Sequence, residues 1–227
     1  MQDLQTFLSV REMLANFLQE DVGSGDITSN SIIPGDLAAK AEIVCKSNSA
    51  IVCGLEEAAM IFDICGCKTE ILIKDGSKVR KGKVVMRVSA GARAILKAER
   101  VALNMMMRMS GIATETRRMA DFAKGVAVLA TRKTAPGLRY FDKKAVVAGG
   151  GAAHRMRLDD MVLVKDNHIV LAGGAEKCVR LAKKRVGSSI KVECEAKSVK
   201  EAVSAISAGA DVVMLDNFTP RRAAGAI

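Results

Sequence analysis

The sequence is poor in aromatic residues: tryptophan is absent, and the 227 residues include one tyrosine and six phenylalanines. Proteins that bind single-stranded nucleic acid stack the bases on aromatic side chains. The shortage argues against that class, although the chain is strongly basic, with 35 Lys and Arg against 25 Asp and Glu. We therefore predict that nucleic acid is not a partner of this protein.

Long apolar runs are also missing. No stretch approaches the roughly 20 apolar residues that a membrane-spanning helix needs, and residues 1–20 lack the basic-then-apolar layout of a secretory signal peptide. Hydrophobic residues make up 49% of the chain and charged residues 26%, as in ordinary globular proteins. We expect a cytoplasmic protein that does not contact membranes.

The six cysteines lack the spacing of a metal site. Only Cys65 and Cys67 lie close together in the sequence, and no second Cys pair or His pair completes a zinc shell. Several of the cysteines stand within apolar runs, where a free thiol packs as a small hydrophobic group. Reduced, structural thiols are therefore expected in preference to a metal site.

Four short apolar runs in the second half of the chain, at 128–133, 161–165, 191–195 and 212–216, each end in charged residues. Such runs are typical of strands in a parallel sheet covered by helices. The carboxyl ends of these strands form the catalytic mouth of a β/α barrel. Here the first two strands end in cations and the last two in carboxylates. This pattern suits an anionic substrate accompanied by a divalent metal.

Positive charge is concentrated between residues 131 and 157, where seven basic residues face one acid, a net charge of +6. Such a cluster attracts anions, and the shortage of aromatics favours a phosphorylated metabolite over a nucleic acid. The segment begins as a predicted strand that leads into a Pro-Gly turn. Because neighbouring side chains on a strand face opposite ways, Arg132 and Lys133 need a twist or a bulge to reach one ligand.

The first half of the chain has the pattern of an α+β unit. Residues 4–19 show apolar side chains at helical spacing, and residues 20–28 interrupt that pattern with two glycines, which indicates an ordered loop. Short alternating runs between residues 41 and 88 flank a helix at 56–64. A long helix is predicted over 98–123, with one apolar stripe made of Val101, Met105, Met109 and Ile112.

The clearest β–α–β unit lies near the end of the chain. Ser198 and Glu201 form a capping box at the start of a helix, and Gly209 is expected to end it. The buried face of this helix is predicted to consist of Val199, Ala202, Val203 and Ile206. Units of this kind in series close a barrel, but four barrel strands are evident where eight are needed, so we predict an incomplete barrel.

Three segments carry residues that packing alone does not explain. Glu195 and Asp216 end successive predicted strands and can share one Mg²⁺; the alternative is that both are solvated loop acids. Residues 165–168 close another strand with four polar side chains. The glycine triplet at 149–151 either lets the backbone pass close to a neighbour or a ligand, or forms a flexible loop.

Seven motifs, in order along nearly the whole chain, resemble those of the quinolinate phosphoribosyltransferase family, also called nicotinate-nucleotide pyrophosphorylase (carboxylating). The series is far more specific than any one of its members. The motifs occupy residues 20–28, 99–104, 110–114, 131–139, 149–155, 158–168 and 215–218.

The resemblance implies an α/β protein in which an N-terminal α+β sandwich domain precedes an incomplete parallel β/α barrel. We place the first domain with its linking helix at residues 1–110, and the barrel at 111–227. The family assembles as a homodimer with a shared active site, to which the residue matching Arg100 comes from the partner subunit; a hexamer is the alternative assembly. The implied substrates are quinolinate and phosphoribosyl pyrophosphate, with Mg²⁺ as cofactor.

The resemblance also implies a role for individual residues. Glu195 and Asp216 would serve the ribose hydroxyls and Mg²⁺, and together with Lys133 and Lys165 they are the predicted catalytic residues. The predicted substrate-binding residues are Arg100, Thr131, Arg132, Lys133, His154, Arg155, Lys165, Glu195 and Asp216.

Two features depart from the family pattern. Ala130 stands where many relatives carry Asp, and relatives continue beyond Ile227 with the last barrel strands and the loops that hold the 5′-phosphate. We therefore expect a truncated chain or part of a longer one. Two other functions stay open: that of a ModD-like paralogue of the same fold, and that of a non-catalytic phosphate- or nucleic-acid-binding remnant.

Overall fold

The computed structural model describes residues 4–226, which divide into two compact units between His154 and Arg155. The predicted domain boundary at 110/111 falls inside a helix that runs unbroken through it, and it stays a prediction. None of the described helices combines the length and the apolarity needed to cross a bilayer.

The first unit combines helices with antiparallel strands. Its helices are α1 Leu4–Val22, α2 Ile27–Ile32, α3 Leu55–Ile64, α4 Ala92–Ala123 and α5 Arg139–Ala148. Its strands are β1 Ala38–Val44, β2 Ala50–Ile51, β3 Lys68–Ile71, β4 Lys78–Val79, β5 Val84–Gly91, β6 Leu129–Ala130 and β7 Ala152–Ala153. An antiparallel sheet has the order β1-β5-β3, β2 pairs with β4, and β6 pairs with β7 in parallel.

The core of the first unit lies where α4 packs against α1, α3, α5 and the sheet. The predicted stripe of α4 is confirmed: Val101, Met105 and Met109 are buried, and Ile112 packs partly against the same cluster. The helix begins at Ala92, six residues earlier than predicted, because Ala92 and Ile95 are also buried there. The apolar stripe therefore continues almost to the end of β5.

Two predictions for the first unit need correction, and two elements were not predicted. The predicted loop at 20–28 already contains the start of α2, because the Asp26 carboxylate accepts the backbone N–H of Ser29 at 2.9 Å and caps that helix. The predicted strand at 128–133 is reduced to Leu129–Ala130. Neither α5 nor the short strand β7 was predicted: charged residues interrupt the apolar pattern of α5, and β7 consists of two alanines that follow the glycine triplet.

The second unit is a three-stranded parallel sheet with helices. Its elements are β8 Val162–Val164, α6 Asp166–Ala172, α7 Ala175–Val186, β9 Val192–Ala196, α8 Val199–Ser207, β10 Val212–Leu215 and α9 Pro220–Ala224. The strand order is β10-β9-β8. Val164, Val192 and Cys194 pack with Cys178 and Val179 of α7 on one face of the sheet. These strands follow three of the four predicted runs.

The cap of α8 is confirmed, and its predicted buried face is right for Ala202 but wrong for Val199, Val203 and Ile206. The Ser198 hydroxyl accepts the backbone N–H of Glu201 at 3.2 Å, and Gly209 follows the helix with φ +93°. The buried residues of α8 are Ala202 and Ala205, whereas the larger side chains of Val199, Val203 and Ile206 are exposed. Small residues allow the helix to approach the sheet closely, and periodicity alone does not tell which of two apolar stripes does so.

All six cysteines are free, and Cys53, Cys67, Cys178 and Cys194 are buried. Burial, assisted by the nearby carboxylates of Asp75 and Glu57, raises the pKa of the Cys53 thiol to about 12. A thiol with so high a pKa is unreactive at neutral pH and acts as a packing group.

Candidate active site

The carboxyl edge of the second unit's sheet carries a row of charged residues. Met214 is in register with Glu195, and the pairing of Val164 with Cys194 brings the next residues, Lys165 and Glu195, side by side. Side chains alternate along a strand, and Cys194 faces the helices. Lys165 and Glu195 therefore point away from the helix-covered face.

Lys165 and Glu195 form an ion pair, with 3.5 Å between Nζ and Oε1. The Glu195 side chain is 18% exposed, so solvent screens this pair less than an ordinary surface pair. Asp216 follows β10, where its backbone N–H donates to the carbonyl oxygen of Ala196 at 3.0 Å. Asp216 follows Leu215, the register partner of Ala196, so it lies at the same carboxyl edge of the sheet as Glu195.

The polar segment at 165–168 has a structural role in addition to any chemical one. Lys165 is the N-cap of α6, and its backbone N–H donates to Nδ1 of His168 at 2.9 Å. Asp166 accepts from Lys197 Nζ at 2.8 Å. This bond and the backbone N–H of Asn167 lower the pKa of Asp166. Capping thus accounts for His168, which packing considerations left unexplained.

Lys197 brings a second cation to this edge. Its hydrogen bond to Asp166 is the main cause of its raised pKa, and the negative charge of Asp216 adds to the effect. The edge therefore alternates cations with carboxylates within one unit. A polar ligand with both hydroxyl and anionic groups finds acceptors and donors there.

In the first unit, three predicted residues follow β6 directly. Thr131, Arg132 and Lys133 lie in a loop after Ala130, where the Thr131 hydroxyl accepts the backbone N–H of Lys133 at 3.3 Å. Because the strand has already ended, strand alternation does not separate Arg132 from Lys133, and no bulge is required.

Arg132 has a buried side-chain nitrogen without a protein partner. Nε of Arg132 has almost no contact with solvent, yet it makes no hydrogen bond to any described residue. Buried polar groups in folded proteins are nearly always hydrogen-bonded, and an exception calls for an explanation such as a missing ligand. A guanidinium group pairs best with a carboxylate or a phosphate.

His154 follows the other strand of this parallel pair, and its backbone is held on both sides. Its N–H donates to the carbonyl oxygen of Ala130 at 3.2 Å, and its own carbonyl oxygen accepts from Lys143 Nζ at 2.6 Å. Arg155, the first residue of the second unit, donates from Nη1 to the carbonyl oxygen of Met161 at 3.0 Å. Arg100 is exposed on α4 and not at a strand end.

The glycine triplet is needed for close packing. A Cβ on Gly149 would lie 2.5 Å from the carbonyl oxygen of Ala113, and one on Gly151 would lie 2.8 Å from that of Val128. Gly150 has φ +92°, which other residues rarely adopt. The triplet therefore brings the backbone into close contact with a neighbouring element, α4. This agrees with the interpretation of close backbone approach and not with that of a flexible loop.

The structure thus brings together Lys165, Glu195 and Asp216 in one unit, and Thr131, Arg132, Lys133 and His154 at one strand-pair end of the other. Two residues escaped the sequence analysis. Glu193 is buried on the same side of β9 as Glu195, and a carboxylate within an apolar strand was an available signal. Lys143 is buried too, but nothing distinguishes it in the sequence from the exposed lysines around it.

Comparison with known proteins places both halves in one family. A model of the quinolinate phosphoribosyl transferase C-terminal domain matches residues 112–227, and one of the N-terminal domain matches residues 26–110. The probable nicotinate-nucleotide pyrophosphorylase [carboxylating] of Methanocaldococcus jannaschii is 44% identical over 213 residues, which cover 92% of this chain and 74% of that protein. Its counterpart in Bacillus subtilis is 39% identical over 218 residues, or 94% and 74% of the two chains.

A solved structure agrees with this result. The crystal structure of NadC from Streptococcus pyogenes superposes with a TM-score of 0.92 at 33% identity, covering all of this chain and 81% of that one. The α/β fold class expected from the sequence, a sheet domain followed by a barrel-type α/β domain, is confirmed by this match.

Proposed function

The chain belongs to the quinolinate phosphoribosyltransferase family, and we propose that it transfers phosphoribosyl from phosphoribosyl pyrophosphate to quinolinate in NAD biosynthesis. The products are nicotinate mononucleotide, pyrophosphate and CO₂. We propose that it does so in the cytoplasm as a pentosyltransferase acting on small molecules, without nucleic acid or membrane partners.

The observation that carries this proposal is the unpartnered nitrogen of Arg132. Quinolinate is a pyridine dicarboxylate, and the fork of a guanidinium group matches a carboxylate in two-point geometry. A buried Arg132 Nε without a bond to the described residues is preorganised for such a ligand, because no internal ion pair has to break first. Thr131 and Lys133 follow the same strand end and add a hydroxyl group and a cation.

Further groups complete the binding of the two anionic substrates. His154, Arg155 and Lys165 are each proposed as substrate-binding residues. Arg100, exposed on α4, is proposed to act in the active site of the partner subunit of a homodimer, with a hexamer of such dimers as the alternative assembly. This role would account for an exposed cation in a motif that otherwise lies in the core helix.

Glu195 and Asp216 are proposed to receive the sugar donor. Their carboxylates accept hydrogen bonds from the ribose hydroxyls, and Lys165, paired with Glu195 at 3.5 Å, lies beside them as a counter-charge. The ammonium group restrains the direction of the Glu195 carboxylate. A carboxylate with a fixed direction favours a sugar that is held in one orientation for attack at C1.

The same two acids fit Mg²⁺. Mg²⁺ is commonly held by one or two carboxylates and completes its octahedron with water and substrate phosphates. Glu195 and Asp216 offer two carboxylates at the ends of neighbouring strands, so they are the residues that would hold it. When bound, the ion neutralises negative charge on the departing pyrophosphate.

The reaction then needs positioning and electrostatics but no covalent enzyme intermediate. The pyridine nitrogen of quinolinate attacks C1 of the ribose as the bond to pyrophosphate breaks. The ring nitrogen, now positively charged, withdraws electrons, so the bond to the adjacent carboxylate breaks and CO₂ leaves, its electron pair staying on the ring until a proton replaces it. The contribution of Arg132, Lys133 and Lys165 is to hold these anions in line.

Release of ¹⁴CO₂ from carboxyl-labelled quinolinate tests this function. We expect release that requires both phosphoribosyl pyrophosphate and Mg²⁺. Arg132→Lys keeps the charge but loses the two-point fork, and we expect kcat/KM for quinolinate to fall about 100-fold. A folded protein that releases no CO₂ with both substrates and the metal would contradict the proposal and favour a non-catalytic or paralogous role.

A further inference from the structure

The ends of β8 and β9 are joined by two ion pairs that run in opposite directions. Lys165, which follows β8, reaches Glu195 of β9, with 3.5 Å between Nζ and Oε1. Lys197, which follows β9, reaches back to Asp166 at the start of α6, with 2.8 Å between Nζ and Oδ2. Each strand end therefore contributes an ammonium group to the other. Lys165 already has a role in the proposed function, whereas Lys197 has none.

The backbone of Lys197 is held on both sides of its Cα. Its N–H donates to Oε2 of Glu201 at 2.7 Å, and its carbonyl oxygen accepts from Nη2 of Arg222 at 3.2 Å. The guanidinium group of Arg222 also lies over the Phe218 ring, 4.3 Å from the ring centroid. Because the rotamers open to a side chain depend on its backbone, these contacts restrict where the ammonium group of Lys197 can lie.

Asp216 is bonded directly to this segment. Its backbone N–H donates to the carbonyl oxygen of Ala196, the residue before Lys197, at 3.0 Å. The hydrogen bond to Asp166 is the main cause of the raised pKa of Lys197, and the negative charge of Asp216 adds to it. The ammonium group of Lys197 therefore lies in the field of an acid that is proposed to bind the ribose and Mg²⁺.

The charged residues that end the three strands carry more negative than positive charge. Asp166, Glu195 and Asp216 bring three carboxylates, and Lys165 and Lys197 bring two ammonium groups. These charges sum to −1, and one Mg²⁺ changes the sum to +1. Without Lys197 the sum is zero even with the metal. The attraction of this edge for an anionic substrate therefore depends on Lys197.

Stability does not account for the pair of Lys197 with Asp166. The two side chains are 57% and 49% exposed, and exposed ion pairs add little to the free energy of unfolding. The ammonium group stays accessible to solvent. Since an ammonium group has three N–H donors, an anion can accept from Lys197 while the bond to Asp166 persists.

We propose that Lys197 is a further substrate-binding residue, which donates to the diphosphate group of the sugar donor beside Glu195 and Asp216. The role rests on the proposed function, in which those two acids hold the ribose and Mg²⁺. Because Mg²⁺ is commonly bound by carboxylates together with substrate phosphates, an ammonium group near the same carboxylates is placed to meet the diphosphate. A charge-assisted hydrogen bond of this kind strengthens binding and stabilises the charge of the leaving group.

Calorimetry of inorganic pyrophosphate binding, with Mg²⁺ present, tests the contact without turnover. Lys197→Gln keeps a donor for Asp166 but loses the charge, and the dissociation constant should rise about 10- to 100-fold, as for a lost hydrogen bond to a charged group. Lys200→Met is the matched control: it removes an exposed lysine of α8 three residues further on, and should change the constant less than about 2-fold. Equal effects of the two substitutions, or a wild-type protein that binds no pyrophosphate, would overturn the proposal.

The partner of Lys197 separates binding from a structural role. Asp166→Asn removes a negative charge and releases the ammonium group, so pyrophosphate should bind more tightly than to the wild type. In a Lys197→Gln background the same substitution should have a much smaller effect, because there is no ammonium group to release. If Lys197 served only to hold Asp166, Asp166→Asn would weaken binding or leave it unchanged. That result, or an equal gain in both backgrounds, would overturn the proposal.

Kinetics separates this proposal from the proposed function. KM for phosphoribosyl pyrophosphate should rise about 10- to 100-fold in Lys197→Gln and stay near the wild type in Lys197→Arg, which keeps the charge. KM for quinolinate should not change in either variant. A wild-type protein that binds pyrophosphate through Lys197 but shows no turnover would refute the function and support the site. Turnover with a normal KM for the sugar donor in Lys197→Gln would refute the role of Lys197 alone.

Discussion

The ammonium group of Lys144 lies 2.8 Å from Oε1 of Glu57, whose side chain is 1% exposed. Burial is the main cause of the raised pKa of Glu57, and the charge of Lys144 opposes it. For Lys144, burial acts to lower the pKa, but the two carboxylates outweigh it and the pKa is raised. Lys144 therefore counteracts part of the effect of burial on Glu57, and the carboxylates of Glu56 and Glu57 favour the charged form of Lys144.

Breaking this pair should destabilise the protein far more than removing both charges. Lys144→Met leaves the Glu57 carboxylate buried without its partner, which typically lowers the free energy of unfolding by about 3–5 kcal/mol. Glu57→Gln combined with Lys144→Met should recover most of the loss. Urea unfolding of the single and double variants measures both. A double variant as unstable as the single one would show that the pair is not coupled.

Gly149→Ala should be strongly destabilising and Gly111→Ala should not. A methyl group on Gly149 meets the Ala113 oxygen at 2.5 Å and the Thr116 Cβ at 2.7 Å, and such overpacking typically costs about 1–3 kcal/mol. Gly111 lies within α4 with nothing within 4 Å of the added atom, so its replacement should stabilise by up to about 1 kcal/mol. Thermal unfolding of the two variants checks the contrast; equal effects would contradict the packing argument.

Asp166 should contribute to acid stability through Lys197. Its folded pKa is lowered by the Lys197 hydrogen bond from the ordinary 3.8, so its contribution is present above that value and is lost as the pH falls through the folded pKa. Asp166→Asn should remove this contribution. Below about pH 4 the free energy of unfolding of the variant should then fall less steeply with decreasing pH than that of the wild type. Urea midpoints measured from neutral to acid pH give the slope. Glu176→Gln, which breaks an exposed helix pair with Arg180, is the control.

Glu195→Gln and Asp216→Asn should weaken the response of the enzyme to Mg²⁺. Each substitution removes a carboxylate from the proposed metal and ribose site, and we expect kcat to fall about 100- to 1,000-fold and the Mg²⁺ requirement to rise. Initial rates over a range of Mg²⁺ concentrations measure both. Asp211→Asn is a suitable control, since Asp211 binds Lys183 and the Val192 N–H. An unaltered Mg²⁺ dependence in both variants would show that Glu195 and Asp216 do not bind the metal.

Arg100 and Lys165 should complement each other across subunits. Arg100→Ala and Lys165→Ala should each be inactive alone, but mixed dimers contain one site in which neither residue is altered, if Arg100 acts in the partner's site. Unfolding and refolding the two variants together, followed by the CO₂ assay, should restore activity. Mixed dimers that form and remain inactive would place Arg100 in the site of its own subunit, or outside any site.

Much of the fold followed from local patterns. The stripe of Val101, Met105 and Met109 predicted α4, because a buried helix face repeats with the helical period. The apolar runs that end at Lys165, Glu195 and Asp216 predicted parallel strands with charged carboxyl ends, and the register of β8, β9 and β10 agrees. The strands of the second unit and the residues at their carboxyl ends were therefore predictable from the sequence.

Other features were not readable, because they depend on what meets a segment from far along the chain. Val199, Val203 and Ile206 of α8 were expected to be buried together with Ala202, but the buried residues are Ala202 and Ala205. The glycine triplet had two interpretations until α4 was seen against it. The short strand β7 exists because β6 is beside it, and a two-residue strand leaves almost no period in a sequence.

The sequence by itself determined the chemistry that is available: which residues end the strands, how their charges alternate, and which family motifs they form. Tertiary structure alone decided that the buried Nε of Arg132 makes no hydrogen bond to the described residues, that His168 caps α6, and that Lys143 is bonded to the His154 oxygen. The physical reason is that charge and period are properties of a segment, whereas burial and hydrogen bonding are properties of pairs that only folding brings together.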